Sequence, residues 1–371
     1  MQHKGTVKFI NKEKSVFYPT LTKRVDAYFR ENNISKFANR KMVLKTIILL
    51  LVYFLPFVLL LSLQPPLWAS LILWFIMAIG VGGIGMSVMH DGNHGAYSSN
   101  RFVNFITGHM ANLLGASAFN WKLQHNVLHH TFTNVAHMDE DIDDKASMLR
   151  FSPHTPVYRV HRLQWLYAFV FYGIPTLYWV TFKDFVQFIK HIRSGVNTQS
   201  TSKNVAMFTR ITLIKVVYFF VLIVLPVFIL GIPFWEVLAG FVLMHVVAGV
   251  LITLIFQLAH TVEGTDHPLP NKSGVIENDW AIHQMSTTAN FAPNNKWLSW
   301  YIGGLNYQIE HHLFPGISHV HYPNIAKIVK QTAEEFSVPY LVNDTFWQAV
   351  RSHIATLKRF GQMPHLDEAI G

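Results

Sequence analysis

No cysteine occurs among the 371 residues. That absence excludes disulfides, cysteine zinc sites and any cysteine-ligated iron–sulfur cluster within the chain. Electrons, if the chemistry needs them, must be delivered from elsewhere. Charge is also scarce: 14% of residues are charged against 51% hydrophobic, too few for an ordinary soluble domain of this length. No cleavable signal peptide is expected, since the first apolar run begins only at Ile47 and reads as an anchor. There is no low-complexity tract, and no internal repeat beyond a weak two-hairpin symmetry.

What is present in quantity is long apolar runs. Ile47–Leu63, Leu67–Met89, Ile211–Leu230 and Phe234–Ala259 each approach or exceed the roughly 20 residues that cross a bilayer. They pair into two hairpins through Gln64-Pro65-Pro66 and Gly231-Ile232-Pro233, connections without Lys or Arg. The segment before Ile47 carries eleven basic residues, from Lys4 to Lys45, so the positive-inside rule puts the termini in the cytoplasm and both turns outside. The fold class expected is all-α: a multi-pass integral membrane protein with four transmembrane helices in two hairpins and a cytoplasmic histidine-rich helical cap. The formal charge of +9 is explained by attraction to anionic lipid, and no nucleic-acid binding is read into it.

Three parts are expected. Residues 1–42 form a basic amphipathic cytoplasmic lead-in, with Leu21, Val25, Tyr28 and Phe29 along one side and a place on the membrane surface. Residues 43–330 form the membrane domain, and 331–371 a cytoplasmic helical tail. Phe102–Phe119 is too short and glycine-broken to cross, and Leu163–Phe182, interrupted at Pro175, is read as interfacial. Asn197–Asn204 and Glu263–Gly274 read as polar loops.

Histidines cluster at the ends of the apolar runs: His90-Asp91-Gly92-Asn93-His94, His125-Asn126-Val127-Leu128-His129-His130 and Gln308-Ile309-Glu310-His311-His312. Neutral imidazole suits iron, copper or zinc. Residues i and i+4 share a helical face about 6 Å apart along the axis, so His90 with His94, and His125 with His129, each form a grip. With His260 at the end of the fourth run, eight histidines are candidate ligands, more than one ion can use, and the count points to two metal ions. Gln308 can complete the shell directly or through water. His109, His137, His154, His161, His191 and His245 are read as hydrogen-bonded or interfacial residues, while His283, His319 and His321 are left open. All-neutral ligands leave the metal charge uncompensated, which favours a strong oxidant and attack on unactivated C–H bonds of a lipid chain. Gly80, Gly82, Gly83 and Gly85 either let such a chain pass or allow close helix packing.

These boxes and their spacing resemble those of the membrane fatty acid desaturases over about residues 40–330. Further matches are Thr131-Phe132-Thr133-Asn134 with Asp139, Asp141 and Ile142, and the run Gly304–Pro315. The glutamine opening the third box is similar to that of front-end, delta-5/delta-6-like enzymes, which act between an existing double bond and the carboxyl end. The resemblance implies a non-haem di-iron centre with O2 as oxidant and His90, His94, His125, His129, His130, His260, His311 and His312 as ligands, with Gln308 direct or through water. It implies that Asp91, Asn93, Asp139 and Asp141 orient imidazole N–H groups. Eukaryotic members often carry a fused cytochrome b5 domain, which the 40-odd residues before the first span cannot hold. The resemblance is therefore to bacterial members served by a separate ferredoxin or cytochrome b5-type donor. The substrate implied is a fatty acyl group on coenzyme A or phospholipid. A lipid hydroxylase or epoxygenase needs much the same ligands, and a non-catalytic metal transporter is the alternative outside that chemistry.

Overall fold

The computed structural model describes residues 7–11, 15–142 and 148–365. They are mostly helical, and four helices are long and apolar enough to cross a membrane: Arg40–Leu63, Leu67–Asn93, Thr201–Ile229 and Phe234–His260. Local chemistry sets their limits. The Asn39 side chain accepts from the Lys41 and Met42 amides and starts the first helix ahead of its apolar run. Gln64 ends it in the left-handed region, φ 43°, and Pro65-Pro66 turns the chain back. The third helix begins at Thr201, inside the polar stretch read as a loop, because hydrogen bonding continues past the apolar boundary.

The chain forms two compact units. One comprises Ala38–Lys122 and Phe169–Leu254, and holds nearly all of the four spans. Its first two helices pack tightly at Gly80, where a Cβ would lie 2.8 Å from Tyr53 Cβ. Close helix packing is thus the use of this glycine. The Gln64 side-chain amide donates to the Leu230 carbonyl at 3.2 Å, so both tight turns sit at one end of the hairpins. A buried lysine and a buried histidine inside this unit each have polar partners. Lys215 Nζ reaches Asp184 Oδ2 at 2.5 Å and the Gly115 and Trp179 carbonyls at 2.6 and 2.7 Å, and the His245 ring meets Tyr218 Oη at 3.0 Å. The stretch read as interfacial breaks at Tyr172-Gly173 into the helices Gln164–Phe171 and Ile174–Tyr178.

The other unit comprises Met1–Phe37, Leu123–Ala168 and Ile255–Gly371. Its core joins the helix Phe17–Glu31 to Tyr322–Glu335: Phe17, Leu21 and Val25 are buried with Ile325, Val329 and Ala333. The apolar stripe expected on the membrane surface is therefore spent on protein, because a second amphipathic helix some three hundred residues later presents a matching stripe. Four short strands form two parallel pairs. β1 (Lys8–Phe9) pairs with β2 (Val275–Ile276), and β3 (Ala289–Phe291) with β4 (Leu341–Asn343). Arg150, buried, donates to the Thr155, Pro153, Phe360 and Met363 carbonyls and so ties the end of helix Phe346–Gln362 into this unit.

Candidate metal centre

The second histidine box does not lie on a regular α-helix. Leu123–His129 is a π-helix, and the His130 amide donates to the His125 carbonyl, an i to i+5 bond of 3.0 Å. The wider turn aligns i+5 as well as i+4, which brings His130 beside His125 with Nε2 atoms 3.2 Å apart. His311, from helix Gln308–Leu313, closes this set, its Nε2 lying 3.0 Å from that of His130. Two neighbouring nitrogens on an octahedral ion, each about 2.1 Å from the metal, are separated by about 3.0 Å. The spacing is that of donors facing a common ion.

A second set is His129, His260 and His312, whose ligating atoms lie within 4.8 Å of one another. All three rings are buried, with His129 edge-on to His260 and His312 at centroid distances of 4.8 and 4.9 Å. Nε2 of His129 and Nε2 of His312 make no hydrogen bond, which for buried nitrogens is costly unless a ligand takes the lone pair.

Other side chains decide which nitrogen faces inward. His129 Nδ1–H donates to Asp139 Oδ2 at 2.9 Å, and Asp139 also accepts from the Asn134 and Asp141 amides, each at 3.0 Å. Burial pushes the His129 pKa down, but the Asp139 carboxylate outweighs it and holds the imidazole above its ordinary range. Asp141 lies farther off, its Oδ2 3.8 Å from His129 Nδ1, and accepts from Gln124 Nε2 at 2.6 Å. His312 Nδ1–H donates to Gln284 Oε1 at 2.9 Å; Thr133 Oγ1 also reaches Gln284 Oε1, at 2.8 Å. Burial, reinforced by the surrounding imidazoles, keeps His312 well below the usual histidine range and so neutral, the form that binds metal. Asn134, at φ 57°, points its amide at the carbonyls of His260 (2.8 Å), Asp266 (3.2 Å) and Thr287 (3.1 Å), and thereby seats His260.

The third box is clamped from behind. Glu310 is fully buried; its carboxylate accepts from Tyr340 Oη and Asn290 Nδ2, both at 2.8 Å, while Asn290 Oδ1 accepts from the Ile309 amide at 3.0 Å. Burial raises the Glu310 pKa to about 7. Gln308 opens the helix, 2% exposed, with Oε1 making no hydrogen bond.

The first box belongs to the other unit. A π-helix, Ile84–Met89, precedes His90–Asn93 at the end of the second span. The His90 and His94 rings lie 4.8 Å apart, both edge-on to Trp121 at 5.5 and 5.8 Å. Asn93 Nδ2 donates to the Gly108 carbonyl at 3.0 Å, and Asp91 is buried. Gly92 must be glycine, since a Cβ would fall 2.4 Å from the Gly108 nitrogen.

Most remaining histidines take structural partners. His109 meets the Phe105 carbonyl, His154 that of His267, and His321 that of Phe37. His161 accepts from the Tyr158 amide, and His283 packs against Phe9 at 4.9 Å. Sequence reasoning missed Gln284, Asn290 and Tyr340. Their spacing from the boxes carries no periodic signal; only tertiary packing brings them there.

Chemically, two sets of buried imidazole nitrogen donors fit soft-to-borderline transition metals rather than calcium or magnesium, which prefer oxygen. Comparison with known proteins agrees. The fatty acid desaturase family model matches residues 66–343. The chain is 36% identical over 361 residues to an acyl-lipid (8-3)-desaturase of Physcomitrium patens, covering 96% of this chain and 74% of that protein. It is 36% identical over 349 residues to the sn-1 linoleoyl-lipid 6-desaturase of Arthrospira platensis, covering 94% and 93%. Over 354 residues it is 36% identical to the enzyme of the same name from a Synechocystis species, covering 94% and 97%. With a family match across most of its length and relatives 36% identical over nearly all of it, this histidine-lined membrane protein belongs to the fatty acid desaturase family, and it is an oxidoreductase rather than a metal transporter.

Proposed function

We propose that the protein inserts a cis double bond into an acyl chain of a membrane lipid, between an existing double bond and the carboxyl end. The observation that carries the reading is the pair of buried imidazole sets, together with the buried Gln308 at the head of the third box. Two relatives are named as 6-desaturases of an sn-1 linoleoyl lipid, and position 6 of a linoleoyl chain lies on the carboxyl side of its first double bond. The net reaction joins two hydrogens of adjacent methylenes, two electrons and two protons with one O2 to give the alkene and two waters.

The proposed ligands of two iron ions are His90, His94, His125, His129, His130, His260, His311 and His312, with Gln308 direct or through water. Bound iron would supply the activation of O2 and the abstraction of hydrogen from unactivated methylenes. The protein's own share is positional. Asp139 and Gln284 set the tautomers of His129 and His312, so that Nε2 of each faces inward. Asn134 and the Asn290–Glu310–Tyr340 clamp hold the backbones that carry His260 and the third box. Burial excludes water, which would otherwise compete for the ligand lone pairs. Electrons come from a separate ferredoxin or cytochrome b5-type donor, and the positive-inside rule puts the site and termini on the cytoplasmic side.

The test is the fatty acid profile of a host expressing the chain and fed linoleate, by gas chromatography with double-bond localisation. A new bond on the carboxyl side establishes the reading. A bond on the methyl side, or a hydroxylated product, refutes it.

A further inference from the structure

Between the helix Phe17–Glu31 and the turn that follows His312 lies a cleft of about 880 Å³, lined among others by Tyr18, Asp26, Arg30, Lys36, Phe314 and Pro315. All of its lining belongs to one compact unit. The floor is apolar, with Leu313, Phe314 and Ile317 buried. The rim is charged and exposed: Asp26, Arg30 and Lys36. The volume is in the range of small-molecule sites. Its wall leads directly to the histidines. Tyr18 Oη donates to the Leu313 carbonyl at 3.0 Å, and the Tyr18 ring stands edge-on to Trp280 at 5.5 Å; the Trp280 indole N–H donates to the His130 carbonyl at 3.2 Å. The same unit contains residues 255–260, the last turn of the fourth span, and so stands at a membrane surface.

We propose that this cleft seats the headgroup of a glycerophospholipid whose acyl chain is the substrate, an inference that rests on the acyl-lipid reading above. Arg30 and Lys36 supply two cations for the phosphate, Arg as a fork and Lys as a point charge. Asp26, one helical turn before Arg30, supplies an anion for an ethanolamine ammonium. The apolar floor accepts the glycerol and the start of the acyl chains. A headgroup without charges offers nothing to either sign on this rim, and a free fatty acid offers no cation for Asp26.

The experiment uses the full-length protein in detergent micelles, with dihexanoyl-phosphatidylethanolamine, dihexanoylglycerol and coenzyme A as probes in equilibrium titrations. The phospholipid is expected to bind at least about tenfold more tightly than the diacylglycerol, and Arg30→Gln with Lys36→Gln is expected to erase that difference. Arg30→Lys retains most of it, and Lys23→Gln, exposed on the same helix but outside the cleft, retains all of it. Equal binding of the two lipids, variants without effect, or tighter binding of coenzyme A lost in the same variants, each overturns the proposal. Turnover of linoleoyl-phosphatidylethanolamine is followed in parallel. Cleft-dependent binding without a new double bond removes the desaturation reading and leaves the headgroup site standing. A new double bond formed with KM unaltered by Arg30→Gln removes the headgroup site alone.

Discussion

His129 and Asp139 make a buried carboxylate–imidazole contact at the candidate metal centre: Nδ1–H donates to Oδ2 across 2.9 Å, with both side chains out of water. The pairing leaves Nε2 as the only lone pair His129 can offer, and that atom is the one without a protein partner. Attraction between the two outweighs the burial of each, holding the carboxyl below and the imidazole above its usual range.

Asp139→Asn preserves shape but removes the charge that fixes the tautomer. Iron affinity, measured by competition with a chelator, is expected to fall about 10- to 100-fold. Undiminished affinity would show that Asp139 does not orient His129.

Gln284→Leu takes away the nearer acceptor of His312 Nδ1–H, leaving Thr133 Oγ1 at 3.1 Å, and one of two acceptors of the Thr133 hydroxyl, which also meets the His129 carbonyl at 2.7 Å. A loss of metal affinity of the same order, about 10- to 100-fold, is expected, with Gln284→Glu close to the parent because it keeps an acceptor. If the Leu variant fills with iron as readily as the parent, the hydrogen bond has no role in the site.

Gln308 is buried at the head of helix Gln308–Leu313 with a side-chain carbonyl oxygen that makes no hydrogen bond. Gln308→His should change the rate or the position of the new double bond, read by gas chromatography. Identical products at identical rate would mean that the glutamine does not determine front-end chemistry.

Acid should destabilise the fold through histidines buried neutral. His353 donates Nδ1–H to the Thr261 carbonyl at 2.7 Å, and burial pushes its pKa down to about 4; His267 is pushed to about 3. The unfolded chain, with histidine near 6.5, binds these protons first. Stability is therefore full above about pH 6.5 and is lost as pH falls toward the folded values, by at most about 3 kcal/mol for His353. Melting temperature in detergent should drop from pH 7 to pH 4.5, less steeply in His353→Gln. A flat profile would contradict this.

The helix Phe17–Glu31 shows how far pattern alone reaches. Leu21 and Val25 at helical spacing announce an apolar stripe, and the stripe is there, but its partner is Ile325 and Val329, not lipid. Periodicity reports that a face must be covered, and any apolar surface satisfies it. The histidine boxes show the same limit from the other side. Their residue types were legible because few side chains bind such metals, yet the i, i+4 reading of the second box omitted the π-turn that swings His130 beside His125. Local composition does not distinguish a helix of one pitch from another when packing pays for the difference.

The sequence by itself determined the class of protein, the apolar runs of the two hairpins and the histidines that stand as candidate donors, because hydropathy acts along the chain and coordination chemistry admits few residues. Only the tertiary structure decided which nitrogen of His129 and of His312 turns inward. For His312 that choice belongs to Gln284, brought from a distant position to hydrogen-bonding distance, and a hydrogen bond is specified by geometry that no linear spacing encodes.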